Sequence, residues 1–195
     1  MSIANPAYKP EAALGFDHLK SVQTIAYFVR KAGGSAEKLK LIKLVYLADR
    51  LSFTRRGKPI NFDSYFSLPH GPVASSALNG MDHNLSEPAW EALAMAENRK
   101  DITIVDEVAD DHLSRADRAI LDETWSQFGG MTSSQIRNWT HKHCAEYVEV
   151  ELAKSLPIDL SEILAQVGVQ NPDDAARDIR MLQKEVGRLE RLRVA

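Results

Sequence analysis

Leu39-Lys40-Leu41-Ile42-Lys43-Leu44-Val45-Tyr46-Leu47-Ala48-Asp49-Arg50-Leu51-Ser52-Phe53 is the most apolar stretch of the chain, and its periodicity decides the fold class. Leu41, Leu44, Val45 and Ala48 recur at three- and four-residue steps along one helical face, while Ile42, Tyr46 and Asp49 begin the neighbouring face. A helix that is apolar over more than half its circumference sits at the centre of a bundle or presses its extra face on something else. Lys40, Lys43, Asp49 and Arg50 interrupt the run, so it is too polar and too short to cross a bilayer. The stretch reads as the central helix of a mainly α protein, capped by Ser35 and ended by Gly57-Lys58-Pro59.

Upstream, residues 1–15 hold two prolines and little periodicity, and they read as a flexible arm. From Phe16, a helix with Leu19, Val22, Ile25, Ala26 and Val29 on one face runs to Gly33-Gly34. Downstream, residues 61–68 alternate weakly through Phe62, Tyr65 and Phe66, and Ile102, Ile104 and Val108 alternate again. The two segments are predicted to pair as a small β element. Between them, Pro72 is placed as the first residue of a helix reaching Met81, and Ser86 caps another that carries Pro88, Trp90, Leu93 and Ala94. Ser114 with Asp117, and Thr132 with Gln135, have the spacing of capping boxes, and Asp159 with Glu162 offers a looser one. Asn171-Pro172 opens a last helix with a narrow stripe of Ile179, Leu182, Val186 and Leu189 among charges.

The 195 residues suit one compact domain, with 44% hydrophobic and 26% charged side chains. A formal charge of −3 provides no global cationic field, so nucleic acid and acidic membranes are not expected partners. The single Cys144 suits a reducing compartment, and Met1 to Pro10 lacks the basic start and apolar core of an export signal, so the expected address is the cytoplasm. Seven cations between Ser35 and Lys58, against Glu37 and Asp49, form a local surplus that reads as a solvated helix face. Asp101 to Asp111 holds five carboxylates and no base, either the complement of that face or a lure for a basic partner.

His141, His143 and Cys144 place three metal-ligand types within four residues, yet no second pair and no HExxH completes a site. No strained nucleophile turn serves Cys144 or a serine with His70 or His141. The glycine pairs at 33–34 and 129–130 follow helices and read as helix ends, not phosphate cradles. The expectation is therefore a protein that is not an enzyme and carries no metal or cofactor. His70-Gly71-Pro72-Val73, near Phe66, is a compact turn whose imidazole and backbone amides suit recognition of a peptide or carboxylate.

Taken together, Lys40-Leu41-Ile42-Lys43-Leu44-Val45-Tyr46-Leu47-Ala48, Gly57-Lys58-Pro59-Ile60, His70-Gly71-Pro72-Val73, Thr140-His141 and Glu146-Tyr147 resemble the Panacea domain, also called the SocA-like antitoxin domain. The resemblance spans roughly residues 17–190 and implies a helical domain with a small two- or three-stranded β element. It places the domain at residues 16–170, followed by an amphipathic helix at 171–195 that packs on the domain or faces a partner. It implies a bacterial or phage antitoxin that neutralises a cognate protein toxin by direct binding. The alternative it carries is a proteolytic adaptor delivering the toxin to a AAA+ protease, and a small His-dependent enzyme stands behind both. Lys43, Tyr46, His70, Gly71, Pro72, Val73, Thr140 and His141 carry over as shared surface or framework, and with Phe66 they are the partner-binding candidates. Tyr147, where the family often has Trp, and Cys144-Ala145 depart from its pattern. The oligomeric state is left open.

Overall fold

The long apolar stretch is a helix at the centre of the molecule. The structure, a computed structural model, describes residues 12–194. The chain order is α1 (His18–Lys31), β1 (Ser35–Glu37), α2 (Lys38–Arg56), β2 (Tyr65–Leu68), β3 (Gly71–Ala74), α3 (Ser75–Met81), a 3₁₀ turn (Pro88–Ala92), β4 (Leu93–Met95) and β5 (Asp101–Ile104). It continues with α4 (Arg115–Phe128), α5 (Ser133–His143), β6 (Leu156–Ile158), α6 (Leu160–Gln166) and α7 (Pro172–Val194). The protein is mainly α with two small antiparallel sheets. Every residue of α2 from Leu41 to Asp49 is buried, because α1, α3, α4, α5, α6 and β3 all pack around it. An all-round apolar helix has no solvent side, and this one accordingly carries Lys43 and Asp49 into the core.

The helix ends written into the sequence form as local chemistry dictates. Ser114 and Asp117 close a reciprocal capping box on α4, and Thr132 and Gln135 do the same for α5. Asp159 accepts from the Ser161 N–H at the start of α6, and Pro172 opens α7.

The β elements correct three expectations. Ser35 does not cap α2: Ser35–Glu37 pairs with Asp101–Thr103, and the Lys38 N–H donates to the Lys100 carbonyl at 2.8 Å, so a sheet takes the groups a cap would have served. The segments around 65 and 102 do not pair with each other. β2 turns through Pro69-His70 into β3 and also pairs with β6, giving the order β3-β2-β6, while β5 pairs with β1 and β4 in the order β1-β5-β4. Pro72 is not a helix start but lies in β3, an edge strand, where a missing N–H is tolerated. The helix begins at Ser75 because the Asp63 carboxylate accepts from the Ser76 and Ala77 N–H groups at 2.8 and 3.0 Å, a cap supplied from a distant loop.

The segment expected as a helix from Ser86 to Ala94 is one 3₁₀ turn followed by β4. Trp90 sets this geometry: its indole packs on bare Gly80, where a Cβ would come within 2.2 Å, and its N–H donates to His18 Nδ1 at 3.0 Å.

The arm expected over residues 1–15 falls, as far as residue 11, outside the described residues. Beyond it, the Ala13 N–H donates to Ser76 Oγ at 2.9 Å. Gly15, at φ +70°, lies so close to α7 that a Cβ would stand 2.6 Å from the Gln183 carbonyl oxygen. α7 buries Ala176 and Ile179, while Leu182 and Leu189 of the expected stripe face solvent with Met181 and Leu192.

Candidate functional site

Lys43, Tyr46 and Arg50 follow one another at helical steps of three and four, so α2 presents all three on one face. The Lys43 ammonium donates 2.7 Å to the carbonyl of Pro72 in β3, and burial brings its pKa down to about 7. The Tyr46 hydroxyl donates to Glu146 Oε1 at 2.5 Å, and burial followed by the Glu146 charge pushes that phenol well above its ordinary range. Arg50 forks onto the same carboxylate, Nε to Oε1 at 2.6 Å and a terminal nitrogen to Oε2 at 3.1 Å. Glu146 is buried, and its charge is met by one guanidinium and one hydroxyl. Two further donors hold the chain around it: the Tyr147 hydroxyl donates to the Leu68 carbonyl at 3.2 Å, and the Val148 N–H to Ser67 Oγ at 3.1 Å.

β3 meets α5 through Gly71. At φ +95° this residue adopts a backbone conformation that side chains disfavour, and a Cβ there would stand 3.0 Å from both His141 Cδ2 and Thr140 Oγ1. Thr140 is fully buried and returns its hydroxyl to the Arg137 carbonyl at 2.8 Å. The His141 ring tilts against Tyr147 with centroids 4.5 Å apart, and its buried Nε2 has no hydrogen-bond partner among the described residues. Burial, then the Lys43 charge, lowers the imidazole pKa against the opposing pull of the His70 backbone.

The nine candidates therefore gather around one junction but differ in access. Lys43, Tyr46, Gly71, Pro72, Val73 and Thr140 are buried, Phe66 and His141 are half-buried, and His70 stands exposed at the β2–β3 turn. Of their polar side chains, Lys43 bonds within the set, to the Pro72 carbonyl, while Tyr46 and Thr140 bond outside it, to Glu146 and the Arg137 carbonyl. Sequence reasoning left Arg50 and Glu146 out of the set. Arg50 lies one helical turn beyond Tyr46, and Glu146 belongs to the Glu146-Tyr147 pair of the motif, which was the signal available.

Asp49 forms a second buried polar centre, accepting from the Ile60 N–H at 2.8 Å and the Tyr65 hydroxyl at 3.0 Å, with burial raising its pKa to about 7. Asp117 is the opposite case. Burial pushes its carboxyl up, yet hydrogen bonds from Ser114, Arg56 and Lys20 outweigh that and bring it down to about 2.

The cations of the α2 region do not form the expected solvated face. Lys38 pairs with Asp82, Lys40 donates to the Gly129 carbonyl, Arg55 pairs with Glu123 and Arg56 with Asp117, so they tie α2 to its neighbours. Nor does the acidic run complement that helix. Asp110 pairs with Arg118, and Asp111 accepts from Gln23, on α4 and α1. His141, His143 and Cys144 turn to three different surroundings: Tyr147, the Trp139 ring at 4.7 Å, and the core. Among the described residues no three His, Cys, Asp or Glu side chains gather as a metal-binding group.

Fold and site together define a mainly helical domain whose motif residues join a hairpin and two helices at one junction. Residues 41–146, just over half of the chain, match the family described as Antitoxin SocA-like, Panacea domain, and the chain belongs to that family. The match runs from within α2 to Glu146, whose carboxylate returns to Tyr46 on α2, so both ends of the matched segment lie at the junction. α1, β1, β6, α6 and α7 lie outside it. No curated protein and no solved structure matches the chain. No described helix is long and apolar enough to cross a membrane.

Proposed function

We propose that this chain is a cytoplasmic antitoxin that neutralises a cognate protein toxin by binding it directly, without catalysis. The observation that carries the reading is the convergence of the family's motif on a single junction that holds the exposed His70 turn through the β2–β3 pairing, the Tyr147 bond to the Leu68 carbonyl and the close packing of Gly71 on α5. Lys43, Tyr46, Gly71, Pro72, Val73 and Thr140 act in this reading as the framework, and His70, Phe66 and His141 offer the accessible atoms. A rigid, preformed surface loses little conformational entropy on binding, which favours tight capture of one partner. A non-enzymatic role fits the chemistry of the junction, where Lys43 is held by the Pro72 carbonyl, Tyr46 by Glu146, and burial holds the Cys144 thiol up at about 12.

Co-expression with the toxin encoded beside it tests the proposal. Growth should be restored and the two proteins should co-purify. Persistent toxicity at matched expression of both chains would end it.

A second reading, an adaptor that hands the toxin to a AAA+ protease, is favoured by one observation: α7, outside the family match, exposes Met181, Leu182, Leu189 and Leu192. Replacing Leu182 and Leu189 with Ser leaves the buried Ala176 and Ile179 in place. In this reading the double variant still binds the toxin but lengthens its cellular half-life, and an unchanged half-life removes the adaptor.

A further inference from the structure

We propose that the outer face of α5 is a toxin-binding groove, and that it receives an acidic segment of the toxin carrying one aromatic or large aliphatic side chain. This inference rests on the antitoxin reading and names the surface and the partner chemistry. Gln135, Asn138, Trp139 and Lys142 lie at steps of three, four and seven on the helix, and with Met131 and His143 they line an open groove of about 490 Å³. Trp139 is its apolar floor. The indole is half-buried, edge-on to Phe128 and stacked on His143, each at 4.7 Å between centroids, so two rings fix its position before any partner arrives. Rigid aromatic anchors of this kind carry a large share of binding energy at protein interfaces.

Charge decides what the groove accepts. The chain as a whole is at −3, yet from Gly129 to Ala145 it has Arg137, Lys142, two histidines and no carboxylate. The nearest acidic residues on either side are already engaged, Glu123 with Arg55 and Glu146 with Arg50 and Tyr46. Lys142 is exposed and lines the groove, and Arg137, which is not part of the lining, brings its guanidinium to the groove's edge by donating to Asn138 Oδ1 at 3.0 and 3.2 Å. The helix dipole alone would place cations at this C-terminus, but it explains neither the apolar floor nor the groove. A nucleic acid fits less well than an acidic peptide. Affinity for it depends on neutralising several phosphates, and two cations on an otherwise acidic protein supply too few.

The test titrates the full chain with the toxin encoded beside it. Lys142→Glu and Asn138→Glu each put a carboxylate into the groove from an exposed position, and Lys154→Glu makes the same charge change on a distant loop. Each groove variant should raise Kd by at least roughly ten-fold with unchanged melting temperature, and the loop variant should stay within about two-fold. If wild type binds and rescues growth but the groove variants bind equally well, the groove is overturned and the antitoxin reading stands. If wild type itself neither binds nor rescues, both fall. If Lys142→Glu abolishes binding to a DNA duplex while leaving toxin affinity intact, the face serves nucleic acid and the proposal is wrong.

Discussion

The ammonium of Lys43 on α2 is bound 2.7 Å from the carbonyl of Pro72 on β3, with the lysine wholly removed from solvent. This contact pins an edge strand to the central helix through a buried charge donor. Lys43→Met keeps most of the side-chain volume but leaves the Pro72 carbonyl without that donor, and should cost about 1–2 kcal/mol. Lys43→Ala adds a cavity and should cost about 3 kcal/mol or more. Urea midpoints of the two variants measure the difference. A Met variant that keeps wild-type stability but loses toxin binding would make Lys43 a contact residue and not a strut.

Asp49 gives the pH dependence a definite sign. Its ordinary pKa of 3.8 rises to about 7 in the fold, chiefly through burial, so between those values the folded chain holds a proton that the unfolded chain has released. The stability this group contributes is complete below 3.8 and is lost as pH rises through about 7. Asp49→Asn retains an acceptor and has no charge to bury. Its melting temperature relative to wild type should therefore climb by about 10 °C between the two ends of that window. Parallel melting curves across the window would refute the assignment.

Lys43 acts in the opposite window. Burial lowers its pKa from 10.5 to about 7, so the stability it contributes is present above the ordinary value and is lost as pH falls through about 7. Wild-type protein should gain stability from neutral to alkaline pH relative to Lys43→Met, as followed by thermal melts in a buffer series. A constant difference between the two would show that Lys43 does not titrate in this range.

At the turn, neighbouring residues should behave differently. Gly71→Ala forces a side chain into φ +95° and against Thr140 and His141, and should destabilise by about 1–3 kcal/mol. His70→Ala changes an exposed side chain and should stay within about 0.5 kcal/mol of wild type. If the His70 turn touches the toxin, calorimetry will show His70→Ala weakening the complex at unchanged stability. Equal affinity would confine the turn to a structural role.

Cys144 is 1% exposed, and burial pushes its thiol up to about 12. Iodoacetamide at pH 8 should alkylate the native protein at least about a hundredfold more slowly than the denatured chain, as mass spectrometry can follow. Comparable rates would mean that the segment beside Glu146 opens readily.

The features legible in the sequence were those whose causes are local. Ser114 with Asp117 and Thr132 with Gln135 satisfy amides only three residues away, so spacing alone announced α4 and α5. The sheets were legible in part. Tyr65–Leu68 and Asp101–Ile104 were recognisable as extended, but their partners were not, because pairing depends on which distant backbone arrives first and fits. Pro72 looked like a helix start by every local rule, and only the Asp63 carboxylate, capping Ser76 and Ala77, moved that start onward.

What the sequence by itself determined is the central helix, the capped starts of α4, α5 and α6 and the family, since apolar periodicity, local caps and motif order are properties of neighbouring residues. What only the tertiary structure decided is which motif residues are accessible. Lys43 and His70 look equally polar in the sequence, yet one ends as a fully buried strut and the other at an exposed turn. The physical reason is that burial of a charge depends on a distant partner, here the Pro72 carbonyl, coming within hydrogen-bond reach.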